Sequence, residues 1–273
     1  MKKLFLLVLV ALGASQGLHA QSDIEFGYFD NVSVGLSVGS DGIGFDVAAP
    51  VKDIAAVRAG FSFVPTVKVN KDIHLSNKNE DADFYKDIDI QGKSKIFDGK
   101  ILIDLYPFKK SSFHLTAGAF FGGSEVAEVV NTSPILKHEA DYGKKGLLLG
   151  SGENEYEVST DKKGDAVIKL KTNGFKPYVG IGFGRAVQKN HRFGVSFDMG
   201  VKFWGTPGVY AKAINHNDMF ADRDNPNSWK EHHFKFSELG EDDDKDLRDA
   251  IETIEKIKVY PVLNLRLTYR IFK

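Results

Sequence analysis

The sequence predicts an all-β fold, an eight-stranded antiparallel transmembrane β-barrel with long extracellular loops, one extracellular hairpin and one short amphipathic helix before the last strand. Three observations predict it. Apolar and polar residues alternate with a period of two over eight separate stretches. The apolar face of these stretches is bulky while the other is small or charged, which suits a barrel that turns its apolar side outward to lipid. The connections alternate between short and long, as the two ends of an outer-membrane barrel require.

The chain starts with a positive Met1-Lys2-Lys3, an apolar run from Leu4 to Leu12 and small Ala20 before Gln21. This is the layout of a secretory signal peptide over 1–20, leaving 21–273 as the barrel domain. That run is the longest apolar one and falls short of the roughly 20 residues a spanning helix needs. There is no cysteine, which excludes disulfides, thiolate metal sites and a lipidated N-terminus. A formal net charge of −1 gives no broad electrostatic reason to bind nucleic acid.

The eight strands are expected at 32–39, 43–49, 55–65, 97–107, 113–124, 177–187, 193–204 and 263–271. The stretch 193–204 is the clearest. Phe193, Val195, Phe197, Met199, Val201 and Phe203 alternate with Gly194, Ser196, Asp198, Gly200, Lys202 and Trp204. The chain holds 21 phenylalanines, and Phe61, Phe63, Phe97, Phe121, Phe183, Phe197 and Phe203 fall on the apolar parity. A soluble sandwich or lipocalin-like barrel would turn that face inward; the small, charged opposite face suits the inside of a narrow membrane barrel better, and the soluble barrel stays as the lesser alternative. Gly180, Gly182 and Gly184 fall on the inward parity, allowing tight curvature and room for long basic side chains.

Segments 50–54, 108–112 and 188–192 read as short periplasmic turns. Segments 66–96, 125–176 and 205–258 read as long outer loops. The outer connection at 40–42 is the exception, a tight Ser-Asp-Gly turn. Within the loops, 155–160 and 166–171 flank a turn at 161–165 and read as a hairpin. Residues 241–257 read as the helix, with acids in the first turn and Leu247, Ile251 and Ile254 on one face.

Candidate chemistry is sparse. His216, His232 and His233 could draw zinc or copper, but the adjacent pair cannot easily share a metal, so no metal is expected. Asp222-Arg223-Asp224-Asn225 lacks the glycine and distant glutamate of a calcium loop. His114 and Ser124 share a face but lie about 34 Å apart at strand rise, too far for a nucleophile and its base. His114 reads as a polar residue at the periplasmic end. No catalytic residue, enzyme activity or cofactor is expected.

The inward charges are the informative set: Asp46, Arg58, Asp98, Lys100, Asp104, Asp198, Lys202, Arg266 and Arg270. Buried charges must pair, and Arg58 is expected to meet Asp104, and Asp198 to meet Arg266. Asp46 and Asp98 are expected near the outer mouth, where carboxylates favour cations, unless Asp46 pairs with Arg58. Two readings remain open. The charges are a plug in a barrel that only anchors surface loops, or they line a narrow path for small polar or cationic solutes.

The segment Pro177-Tyr178-Val179-Gly180-Ile181-Gly182-Phe183-Gly184, then Phe203-Trp204-Gly205-Thr206-Pro207, then Val259 to Arg270 (VYPVLNLRLTYR) together resemble the carbapenem-associated outer-membrane proteins of Gram-negative bacteria. The resemblance covers 176 to the end and depends on structural residues. It implies an outer-membrane location and a porin-like uptake of small basic amino acids. The even strand count puts both termini in the periplasm; membrane lipid and the barrel-assembly machinery are the expected partners, and a monomer is favoured with the oligomeric state left open. Such closing strands stop on an aromatic, whereas here Lys273 follows Phe272.

Overall fold

The computed structural model describes residues 25–66, 68–74, 85, 87–108, 111–143, 145–149, 156–215, 229–235 and 245–271. The 1–20 segment, His216, 222–225, Phe272 and Lys273 lie outside the described residues.

Among the described residues sixteen strands follow one another along the chain. They are β1 (Ser33–Gly39), β2 (Gly42–Val51), β3 (Ala55–Phe63), β4 (Lys68–His74), β5 (Asp87–Ser94), β6 (Phe97–Leu105), β7 (Phe113–Gly122) and β8 (Glu125–Asn131). Then come β9 (Gly146–Leu149), β10 (Tyr156–Ser159), β11 (Val167–Lys171), β12 (Phe175–Phe183), β13 (Phe193–Phe203), β14 (Gly208–Asn215), β15 (Lys230–Phe234) and β16 (Val259–Arg270). Helix α1 (Lys245–Lys256) precedes β16.

Eight of these strands close a barrel in the order β1-β16-β13-β12-β7-β6-β3-β2, all neighbours antiparallel. Each overlaps one of the stretches of alternating residues. In β13 the odd residues face out and the even residues face in, so Phe193 is 66% exposed while Lys202 is 2% exposed. The outward parity puts Leu36, Phe45, Phe61, Ile101, Phe121, Val179, Phe183 and Leu267 on one continuous apolar surface. Aromatic contacts join rings across adjacent strands on that surface, Phe45 to Phe61 and Phe61 to Phe97.

The other strands form a second sheet at the barrel end away from the termini, in the order β4-β5-β8-β11-β14-β10-β9, with β15 on β14. Its order repeats that of the barrel strands below. The β4-β5-β8-β11-β14 run stands on β3-β6-β7-β12-β13. Backbone bonds carry the ladder across the junction: Val64 N–H to Ile96 O (3.0 Å), Lys95 N–H to Val126 O (3.0 Å) and Thr172 N–H to Ser124 O (2.7 Å). The barrel wall therefore rises without a break on that side. On the β1–β2 side it stops at the turn Ser40-Asp41, where Gly42 takes φ +89° and a side chain would strike the Phe63 carbonyl.

The expected hairpin over 155–171 is not a hairpin. Strands β10 and β11 run in the same direction along one edge of β14, Tyr156 opposite Asn215 and Ile168 opposite Ala211. Between them a small loop closes through the Thr160–Ala166 bridge and the Asp161–Asp165 turn. One edge of β14 offers a continuous row of backbone groups, and satisfying it outweighs pairing the two arms with each other.

Helix α1 packs on this sheet. Ile251 is 2% exposed and lies in a cluster with Val158, Val209, Ala211, Ala213 and Phe234, and Ile254 packs against it. The Trp204 indole N–H donates to the Ile257 carbonyl (2.8 Å), tying the helix exit to the barrel rim.

Candidate functional site: a charged lumen with a folded-in turn

All nine charges expected to face inward are buried inside the barrel, and Lys176 joins them. Apart from Lys100 they lie at three levels. At the end below the second sheet, Asp98 accepts from Lys176 Nζ (2.6 Å) and from Lys202 Nζ (2.8 Å), one lysine to each carboxylate oxygen. The Lys202 ammonium also lies over the Phe120 ring, 4.3 Å from its centroid. Gly122 is register partner to Asp98, and a side chain there would collide with its carboxylate.

The middle level has two groups. Arg266 forks onto Asp46, with Nε to Oδ2 at 2.8 Å and Nη2 to Oδ1. Arg58 binds two acids, Asp104 (2.8 Å) and Asp198 (3.1 and 3.2 Å). The Thr116 hydroxyl donates to Asp104 (2.8 Å), and His114 Nε2 lies 2.9 Å from Asp198 Oδ1. Asp104, His114 and Asp198 bring their ligand atoms within 4.8 Å of one another. The guanidinium of Arg58 already bridges the two acids.

The third level, at the end with the termini, is a folded-in turn. Strand β12 ends at Phe183, Gly184 takes φ +108°, and the turn that follows carries Ala186 and Val187 into the lumen while 190–192 stay exposed. Ala186 and Val187 pack with Phe26, Ala48, Ala56 and Tyr106. The turn's backbone is held at several points. The Ser33 hydroxyl donates to Ala186 O (2.6 Å), Ala186 N–H donates to Tyr106 Oη (2.9 Å), and Arg270 donates to the carbonyls of Gln188 and Lys189 (2.7 Å each). Outside this end, Lys189 pairs with Asp53 at 2.7 Å, and Asp53 also accepts from the Phe26 N–H.

The expected pair Arg58–Asp104 is present, but Asp198–Arg266 is not. Arg266 passes over Gly35, where a side chain would sit 2.3 Å from its Nε, and so reaches Asp46 on the next strand. Asp198 is taken by Arg58 and His114 instead. Asp46 therefore pairs neither with Arg58 nor at the mouth, because Arg266 holds it in the middle level. His114 is 1% exposed and belongs to the ion network, not to a polar rim. The room at Gly180 and Gly182 is taken by Tyr178 and His114, not by long basic chains.

Lys176 lies outside the expected strand at 177–187, because β12 begins two residues earlier, at Phe175. Leu102, Phe120, Tyr178 and Val262, a small apolar cluster inside the lumen, share the inward parity of their strands and were legible from it. Two charges stand apart. Among the described residues Lys100 forms no ion pair, and both carboxylate oxygens of Asp41 are buried without a hydrogen-bond partner.

No protein-family model matches the chain, and no curated protein matches it. Among solved structures the chain is similar to CarO2 of Acinetobacter baumannii, with a TM-score of 0.44 and 15% identity over 90% of this chain and 100% of that one. It is also similar to CarO of the same organism, with a TM-score of 0.42 and 14% identity over 88% of this chain and 96% of that one.

Proposed function

We propose that the chain is an outer-membrane, porin-like barrel that rests closed and opens a narrow path for small polar or cationic solutes. The continuous apolar outer surface supports the membrane location, since soluble monomers rarely expose apolar patches beyond a few hundred Å². On this reading 1–20 directs export, the termini face the periplasm, the assembly machinery inserts a monomer, and the second sheet stands outside the cell.

The observation that carries the transport reading is the kind of closure in the lumen. The turn 184–192 blocks the periplasmic end largely through hydrogen bonds to its backbone, and above it the interior is charged with a small void. A turn held in that way can be released without unfolding the wall. The second reading, a closed anchor for a surface sheet, is favoured by the unbroken ladder between barrel and second sheet.

Planar-bilayer conductance and liposome swelling test the two. Wild-type protein should be mostly shut. Tyr106→Phe removes the acceptor of the buried Ala186 N–H, which costs about 1–3 kcal/mol, and should raise the open fraction and admit lysine faster than glutamate. If Tyr106→Phe and a variant lacking 186–188 both leave liposomes as tight as empty ones, the anchor reading stands.

A further inference from the structure

The lumen contains a void of about 10 Å³ between the upper and middle charge levels, room for about one water molecule. Arg58, Lys100 and Arg266 line it against a single carboxylate, Asp198. That carboxylate is already used, accepting from Arg58 on both oxygens and from His114 on one.

The unmet groups point to the occupant. Arg58 Nε is buried without a partner, and so is the Ser37 hydroxyl, another lining residue. Lys100 is 6% exposed and forms no ion pair among the described residues. A guanidinium N–H and an ammonium can only donate. Lys100 and Ser37 reach into the same space, since a side chain on Gly44 would meet Lys100 Nζ at 3.0 Å and Ser37 Oγ at 2.5 Å. The unmet groups that can accept, the Ser37 hydroxyl and Asn264 Oδ1, belong to side chains that also carry donors. The acids acting most strongly on Lys100 are Asp41 and Asp46. Asp46 is held by the Arg266 fork, and Asp41 does not line the void.

An occupant must therefore accept hydrogen bonds, be about as small as water and tolerate three neighbouring cations. We propose that the void is a binding site for a small monovalent anion of the halide class, with Lys100 as its principal counter-charge. The site depends on the lumen geometry alone and stands whether or not the barrel conducts.

The test uses the full-length mature protein refolded in detergent, with chloride as the probe. Thermal unfolding is compared in sodium chloride and sodium gluconate at equal ionic strength, and chloride NMR line width is titrated. The wild type should unfold about 3 °C or more higher in saturating chloride and broaden the chloride line. Both effects should vanish in Lys100→Met and persist in Lys212→Met, an exposed control on the second sheet. Equal unfolding in the two salts without line broadening would show that the void holds water only and overturn the proposal. So would a Lys100→Met protein that keeps both effects. Should Lys100→Met fail to fold, Ser37→Ala is read by line width alone: an affinity about tenfold weaker supports the site, and an unchanged one overturns it.

Discussion

Arg266 reaches Asp46 by lying across Gly35, the residue between them in the barrel wall. Strands β16, β1 and β2 are neighbours, and the absent side chain of Gly35 is the passage through which the guanidinium forks onto the carboxylate. Gly35→Val should push Arg266 off Asp46 and leave two buried charges unpaired. Breaking a buried pair in this way costs about 3–5 kcal/mol. Urea unfolding followed by the heat-dependent gel mobility of the barrel should show that loss. A midpoint within error of wild type would mean that the fork contributes little.

The Asp53–Lys189 contact makes the docked turn sensitive to acid. Burial raises the Asp53 carboxyl, but the Lys189 hydrogen bond, the Phe26 N–H and the charges of Lys189 and Arg185 outweigh it, leaving it below the ordinary 3.8. A carboxyl lowered by folding contributes stability above its unfolded value and loses it as pH falls through its folded one. The contribution is therefore intact at neutral pH and fades below 3.8. As a partly exposed pair it is worth about 1 kcal/mol or less. Asp53→Asn should lower thermal stability slightly at pH about 6, and the difference should shrink as the pH is taken progressively below 3.8. A variant that differs from wild type equally across this range would place the effect elsewhere.

Ile251 anchors α1 to the second sheet. Burying an isoleucine contributes about 1.5–3 kcal/mol, and Ile251→Asp would also leave a carboxylate in an apolar cluster. The helix should detach, and limited proteolysis should cut 245–256 faster while the barrel keeps its gel mobility. Unchanged protection of this segment would show that Ile254 and the Trp204 bond suffice to hold it.

The eight barrel strands were legible because one physical condition acts along their whole length. Each successive side chain must choose between an apolar exterior and a polar interior, and 193–204 records that choice at every residue. The charged lumen residues followed from the same parity. Their partners did not, because a long side chain chooses by reach. Arg266 spans a strand only where Gly35 lets it pass, and His114 finds Asp198 across the lumen. The strands of the second sheet were hidden inside expected loops. In β14, Val209, Ala211 and Ala213 alternate with Tyr210 and Lys212, but the run is short and set among polar residues. The inward bend after Phe183 was missed because alternation seemed to continue to Val187, where Ala186 and Val187 are in fact packing as a stopper.

The uneven wall has a mechanical meaning. Five of the eight barrel strands continue upward as one hydrogen-bonded fabric, so a pull or twist applied to the second sheet is carried down through them as through a stiff plate. Strands β16, β1 and β2 have no strand of the second sheet above them, and β16 is joined to that sheet through α1. This seam is closed by backbone ladders like the rest of the wall, the Arg266 fork over Gly35 adds a side-chain tie across it, and Arg266 and Arg270 of β16 and Ser33 of β1 also hold the folded-in turn. The stopper is thus fastened from both sides of the wall, by β16 and β1 where no second-sheet strand stands above and by Tyr106 under the tall side, so a load on the outer sheet reaches it through Tyr106 first.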